Sequence, residues 1–210
     1  MASTDFSVTI LGSGAALPSH SRHCSGQVVT IRGFRVLLDC SEGTQTQIRF
    51  CHQKLQSIAV ICITHMHGDH FFGLPGLLST MQLCGREEAV TIIGPKGIRQ
   101  ILETTFSLSG NRIEFPINYC ELTMEEVGEC SISVFDNKRL HIDAFALRHS
   151  VPTFGYRITE HPAGQRLPRS YAYCSDTACF DELLLHTRGV DLLCIESTYG
   201  NDYAHLAEFY

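Results

Sequence analysis

Apolar residues in this chain come in short runs broken by glycine, proline and charged residues, the rhythm of strands alternating with helices. The first half opens with β-rich runs over 6–11, 27–31, 34–39, 58–64 and 90–93. Helical spacing of apolar positions predicts helices over 44–52, behind Glu42-Gly43, over 74–84, and over 97–106, behind Gly94-Pro95. The second half repeats the style, with strands over 131–135, 142–147, 155–159, 171–174 and 190–195. A helix over 178–186 fits between the last two and ends near Gly189, and a helix-like run covers 204–210. Strands and helices that alternate in this way predict an α/β protein with helices covering sheet faces. No internal repeat, low-complexity tract or linker interrupts the pattern, so a single domain is expected over residues 1–210.

Composition narrows the class. Hydrophobic residues make up 44% and charged residues 18%, which is globular and excludes a disordered chain. No apolar run reaches the roughly 18 residues that a membrane span needs, so no membrane partner is expected. The start, Met1-Ala2-Ser3-Thr4-Asp5, lacks the basic stretch and apolar run of a secretory signal, which predicts a cytoplasmic location. Ten cysteines are scattered, Cys62, Cys174 and Cys194 inside apolar runs, and none forms a Cys-x-x-Cys pair. Free cysteine is a common buried residue, and the set reads as reduced thiols rather than a disulfide or zinc framework. The formal net charge of -6 sits awkwardly with a polyanionic partner, which usually meets a basic surface. Arg22, Arg32, Arg35, Lys138, Arg139, Arg157, Arg166 and Arg169 could form a local basic stripe, although each alone reads as a solvated surface charge.

The densest chemistry lies in Thr64-His65-Met66-His67-Gly68-Asp69-His70, directly behind the apolar run 58–63. His65 and His67 are two apart, so at an extended strand end they face the same side. Gly68 frees the backbone to turn and bring Asp69 and His70 round as a second pair. Imidazole nitrogen with carboxylate oxygen is a first-row metal environment, most often zinc, otherwise manganese or iron. Four ligands split two and two predict a metal pair about 3.5–4 Å apart that shares a hydroxide nucleophile. The alternative, a group of surface histidines, does not account for the spacing, the strand or the glycine together.

The spacing His65-x-His67-x-Asp69-His70 resembles the signature of the metallo-β-lactamase fold hydrolases, and other segments resemble the ribonuclease Z branch. These are Leu11-Gly12-Ser13-Gly14-Ala15-Ala16-Leu17-Pro18, then Leu38-Asp39-Cys40-Ser41-Glu42-Gly43-Thr44-Gln45, with Ser41 in place of a family glycine, and Asp69-His70-Phe71-Phe72-Gly73-Leu74-Pro75-Gly76. His149-Ser150-Val151-Pro152, Ser175-Asp176-Thr177 and Glu196-Ser197-Thr198-Tyr199 follow in family order, so the resemblance spans residues 8–199. It implies two mixed β-sheets stacked face to face with helices outside, an αβ/βα sandwich carrying metals at one edge. It implies two Zn2+ per subunit, or Mn2+ or another divalent ion in their place. His65, His67 and His149 would hold one metal, Asp69 and His70 the other, and Asp176 would bridge both. His149 and Asp176 follow predicted strands, where a rigid sheet presents ligands well. His149 also reads as a satisfied histidine beside Pro152, and Asp176 as the N-cap of the 178–186 helix.

The implied activity is a zinc-dependent endoribonuclease that removes the 3′ trailer of precursor tRNA, acting as a homodimer. Asp69 would accept the proton of the attacking water, and Glu196 would support protonation of the leaving group. Arg22, with Pro18, matches a substrate-binding loop whose lysine and asparagine are His20 and His23 here. The family histidine next to Glu196 is Ile195, and residues 160–169 form a short loop where the family carries a long tRNA-holding arm. The family's leaving-group histidine and a last metal ligand would follow Tyr210. A full member is therefore expected to be longer, with these residues alone holding the second metal weakly and cleaving little. A related phosphodiesterase acting on other RNA or on small or cyclic phosphodiesters would suit the short loop. A non-catalytic metal-binding subunit would suit a chain without those later groups. Lactamase activity fits least, because segments 39–47 and 151–156 follow the ribonuclease Z pattern.

Overall fold

The computed structural model describes residues 6–162, 164, 167–198 and 200–203. The chain divides into two compact units, one up to Glu121 and one from Leu122 onward, each built on one mixed sheet. In the first unit β1 (Phe6–Gly12), β2 (Gly26–Ile31), β3 (Phe34–Leu38), β4 (Ile58–Cys62), β5 (Val90–Pro95) and β6 (Ile117–Leu122) lie side by side in chain order. β1, β2 and β3 form an antiparallel meander, whereas β3, β4 and β5 run parallel. Parallel strands are covered on both faces, and Val36, Leu37, Leu38, Val60, Ile61, Ile92 and Ile93 are accordingly all buried.

The connections after β3 and β4 carry α1 (Thr44–Phe50), α2 (Gly68–Phe71) and α3 (Leu74–Leu83), and α4 (Ile98–Ser109) follows β5. α3 buries Leu74, Leu77, Leu78 and Met81, and α4 buries Ile98, Leu102 and Phe106. Those spacings put one apolar stripe on each helix, and both stripes join a core that includes Ile48, Ile61 and Ile92. The Glu121 carboxylate accepts from the Gly97 and Arg99 N–H groups, which fixes the start of α4, where a negative charge is favoured. Arg86 is buried, and its guanidinium donates to the carbonyls of Gln56, Ile58, Glu88 and Ala89.

In the second unit β7 (Ile132–Asp136), β8 (Leu140–Leu147), β9 (Thr153–Glu160), β10 (Ser170–Cys174) and β11 (Leu192–Ile195) make a five-stranded sheet ordered β11-β10-β9-β8-β7. The first four are antiparallel, and β11 pairs parallel to β10 after a crossover through α6 (Leu183–Thr187), α5 (Met124–Val127) having led into the unit. Gly155 pairs with Phe145, and a Cβ there would stand 2.3 Å from the Phe145 ring, so the ring lies across the glycine. β9 and β10 are joined by residues 161–169, and buried Glu160 accepts from both the Arg169 backbone and its guanidinium, which clamps the base of this connection. Among the described residues no helix is long and apolar enough to cross a membrane, and all ten cysteines are free.

Three expectations change. The helix expected over 178–186 is confined to Leu183–Thr187. Thr177 and Ala178 are pinned to the end of β8 instead, because the Ala178 N–H donates to Arg148 O (2.8 Å) and Thr177 Oγ1 accepts from the Arg148 N–H (3.1 Å). Asp176 therefore caps no helix. β6 and α5 had no counterpart in the apolar pattern: β6 is an edge strand whose Asn118 is exposed, and α5 is four residues long. α5 was nonetheless readable from Thr123-x-x-Glu126, which forms a reciprocal capping box. The helix-like run 204–210 and Arg166 lie outside the described residues.

The junction of α2 and α3 is seated on the segment after β3. Cys40 N–H donates to His70 O (2.7 Å), Gly73 N–H donates to Cys40 O (2.9 Å), and a Cβ on Gly73 would stand 1.9 Å from Ser41 O. Gly73→Ala should therefore force the backbones apart and destabilise the protein by roughly 2–4 kcal/mol. Thermal denaturation checks this, with Tm expected to fall by roughly 5–15 °C.

Candidate metal centre

β4 ends at Cys62, and the extended residues after it carry Thr64, His65 and His67 before α2 begins at Gly68. The His65 and His67 rings meet edge to face at 4.7 Å, as their two-residue spacing predicts. α2 is a single helical turn, and it turns the chain so that the His70 ring comes within 4.2 Å of His65. Gly68 does not take a left-handed conformation. Its role is space: a Cβ there would stand 2.7 Å from two carbons of the Phe72 ring. Asp69 completes the first unit's cluster, its Oδ2 3.4 Å from His70 Nε2 and accepting from the Ala16 N–H at 2.7 Å. Burial works to raise the Asp69 carboxyl pKa, but the hydrogen bond and charge that a protonated His70 supplies outweigh it. Together with the Ala16 N–H they hold the group well below the usual carboxylate range.

Asp39 orders this cluster from behind. Its side chain is fully buried at the end of β3, in a left-handed conformation (φ 55°) that aspartate tolerates better than most residues. Asp39 Oδ1 accepts from the Thr64 N–H (2.8 Å), and Oδ2 accepts from the Thr64 hydroxyl (3.0 Å) and from His70 Nδ1 (2.7 Å). Because the Thr64 hydrogen goes to Asp39, His65 Nδ1 is the donor in its 3.0 Å contact with Thr64 Oγ1. With Nδ1 protonated, Nε2 of each neutral ring carries the lone pair that ligates a metal. His70 Nε2 then faces the Asp69 carboxylate as one electron-pair donor facing another, an arrangement that a bound cation reconciles. Three imidazoles and a carboxylate, with the tautomers of His65 and His70 fixed through a buried carboxylate, fit a divalent metal.

The second unit presents His149 just after β8 and Asp176 just after β10, both half-buried. Their neighbours bind each other: Arg148 with Thr177 and Ala178 through the two bonds already described. Glu196, just after β11, accepts from the Thr177 N–H and from the Thr198 hydroxyl (2.6 Å). Its carboxylate thus holds the turn that carries Asp176. Arg22 lies exposed in the loop after β1, its backbone bonded to Ser19. Asp39 and Thr64 are the groups that ligand spacing alone missed. The signal was a lone carboxylate closing the apolar run 34–39, where an unpaired charge would be costly.

Asp39→Asn removes the charge and cannot accept from both Thr64 and His70 without turning its amide hydrogens on one of them. Metal affinity, read by chelator competition, should fall by about 10- to 100-fold, with the fold retained by circular dichroism.

Residues 34–207 match the model of the Beta-lactamase superfamily domain. Ribonuclease Z of Prochlorococcus marinus (strain MIT 9301) is 37% identical over 239 residues, covering 92% of this chain and 76% of the relative. Ribonuclease Z of Alkaliphilus oremlandii is 40% identical over 158 residues, 71% of this chain and 50% of that one. The crystal structure of human tRNase Z, short form, superposes with a TM-score of 0.84 at 34% identity, covering 96% of this chain and 81% of the human one. The two mixed sheets with their helices are thus a metallo-β-lactamase fold, and the chain belongs to the ribonuclease Z family of that superfamily.

Proposed function

We propose that this protein is a metal-dependent endoribonuclease that matures the 3′ end of precursor tRNA. The observation that carries the reading is the cluster His65, His67, Asp69 and His70, with the His65 and His70 tautomers set for ligation, in a chain alike to ribonuclease Z over most of its length. We assign His65, His67, His149 and Asp176 to one zinc ion, and Asp69, His70 and Asp176 to a second. Zinc is favoured by the predominance of imidazole donors, and manganese would fit the carboxylates. Divalent metal at these residues supplies positive charge to the phosphoryl oxygens and acidity to water at neutral pH.

The chain's own groups divide the remaining work. Asp69 accepts the proton of the attacking water, and the Ala16 N–H keeps its carboxylate aimed. Glu196 acts as a positioning residue, holding the Thr177 turn and so the orientation of Asp176. Arg22, exposed near the same end of the first unit's loops, is available to a substrate phosphate. Ten free thiols suit a reducing compartment such as the cytoplasm. A homodimer is supported by family analogy alone. The short, clamped connection between β9 and β10 favours a second reading, hydrolysis of other RNA or of small phosphodiesters, because it offers no extended arm to a folded tRNA. Cleavage of precursor tRNA set against a small phosphodiester, with and without zinc, separates the two.

Replacing His65 and His67 together by alanine should abolish metal retention, measured by elemental analysis of protein purified without chelator. Full retention would refute the ligand assignment. Asp69→Ala should lower turnover by about 10²–10⁴-fold through loss of proton transfer alone, with a smaller change in RNA binding. A variant within a few-fold of wild-type turnover would remove Asp69 from this role.

A further inference from the structure

Two phenylalanines follow the ligand motif and meet opposite fates. Phe71 is 2% exposed and belongs to the core, whereas Phe72, its ring 6.2 Å away, is 70% exposed. Phe72 is not loose. Its N–H donates to Gly68 O (3.0 Å), its ring edge rests against Gly68, and the next residue, Gly73, is wedged on Ser41. One rim of the ring is thus fixed to the backbone between His67 and Asp69 while most of its surface stays in water. The loop whose Ala16 N–H binds the Asp69 carboxylate also leaves Leu17 79% exposed. Single exposed apolar residues are ordinary, but a rigid aromatic beside a phosphodiester-cleaving cluster has a specific use.

We infer that Phe72 is a stacking platform for a nucleobase next to the scissile phosphodiester, an inference that rests on the ribonuclease reading above. Unpaired bases at RNA ends are held by stacking on aromatic side chains, and every base offers a π-face. Stacking also needs no positive charge, which suits a chain with a net charge of -6. The metals and Arg22 would engage phosphate, and Phe72 would set the flanking base so that the phosphorus faces the water whose proton Asp69 accepts. Phe72 is on this reading a binding and positioning residue and takes no part in proton transfer.

The test uses precursor tRNA carrying 2-aminopurine at the nucleotide on the 5′ or the 3′ side of the cleavage site, one at a time. Wild-type protein should quench the fluorescence at one of the two, Phe72→Tyr should keep the quench, and Phe72→Leu should lose it while weakening Kd by about 5- to 100-fold. An abasic nucleotide at the same place should weaken wild-type binding by a similar factor and add little to the Phe72→Leu loss. Wild-type protein that cleaves the RNA without quenching either reporter overturns the stacking role alone. So does equal quenching by Phe72→Leu, or strictly additive losses from the variant and the abasic site. A Phe72→Leu change seen only in sedimentation, as a shifted monomer–dimer balance, would assign the ring to a second copy of the chain and overturn the inference as well. Full-length wild-type protein that leaves precursor tRNA intact removes the ribonuclease reading and this inference with it.

Discussion

One buried carboxylate organises the first unit. Asp39 takes three hydrogen bonds at the bottom of the ligand cluster, from the backbone and hydroxyl of Thr64 and from the ring of His70. Leaving such a group unpaired in the interior would cost several kcal/mol, so folding and arrangement of the cluster are the same event here. The carboxylate joins the end of β3 to two points on one distant segment, Thr64 after β4 and His70 in α2, 25 and 31 positions further along the chain. It also decides which nitrogen of His65 and of His70 carries hydrogen, one through Thr64 and the other directly. Its left-handed backbone (φ 55°) is a strained choice for a residue with a side chain. That strain is sustained because the flanking amides are themselves fixed, Asp39 N–H to Cys62 O and Cys40 N–H to His70 O.

Much of this was legible in the chain. The strands over 27–31, 34–39 and 58–64 were readable because buried parallel and mixed strands are continuous apolar runs. The motif from His65 to His70 was readable because ligand spacing is local. What escaped was decided elsewhere in the fold. Residues 178–182 have helical composition, yet the main-chain groups at the start of the stretch are claimed by Arg148. β6 carries Asn118 and Glu121 within six residues, and its pairing is set by β5 rather than by its own pattern. Gly68 looked like a hinge from its neighbours, but its constraint comes from the ring four residues on. Asp39 sits 31 positions from the His70 ring it orients, a partnership that no local window contains.

The second unit applies the same logic with weaker groups. Backbone and hydroxyl bonds from Arg148, Thr177 and Ala178, completed by Glu196, fix the two strand exits that carry His149 and Asp176. Each half of the proposed centre is therefore pre-ordered by its own hydrogen bonds. Little backbone entropy at these positions remains to be lost when a ligand arrives.

The Glu160–Arg169 clamp bears on how such a chain changes over evolutionary time. Because the ion pair and the Glu160 N–H to Arg169 O bond hold the ends of β9 and β10 together, the register of the sheet does not depend on what the loop contains. The entropy of closing a loop grows only with the logarithm of its length, by about 0.6 kcal/mol per doubling. Expanding the nine residues 161–169 eightfold would then cost about 2 kcal/mol. The position is in effect a socket, where an appendage can be gained, lost or exchanged while the strands on either side keep their pairing.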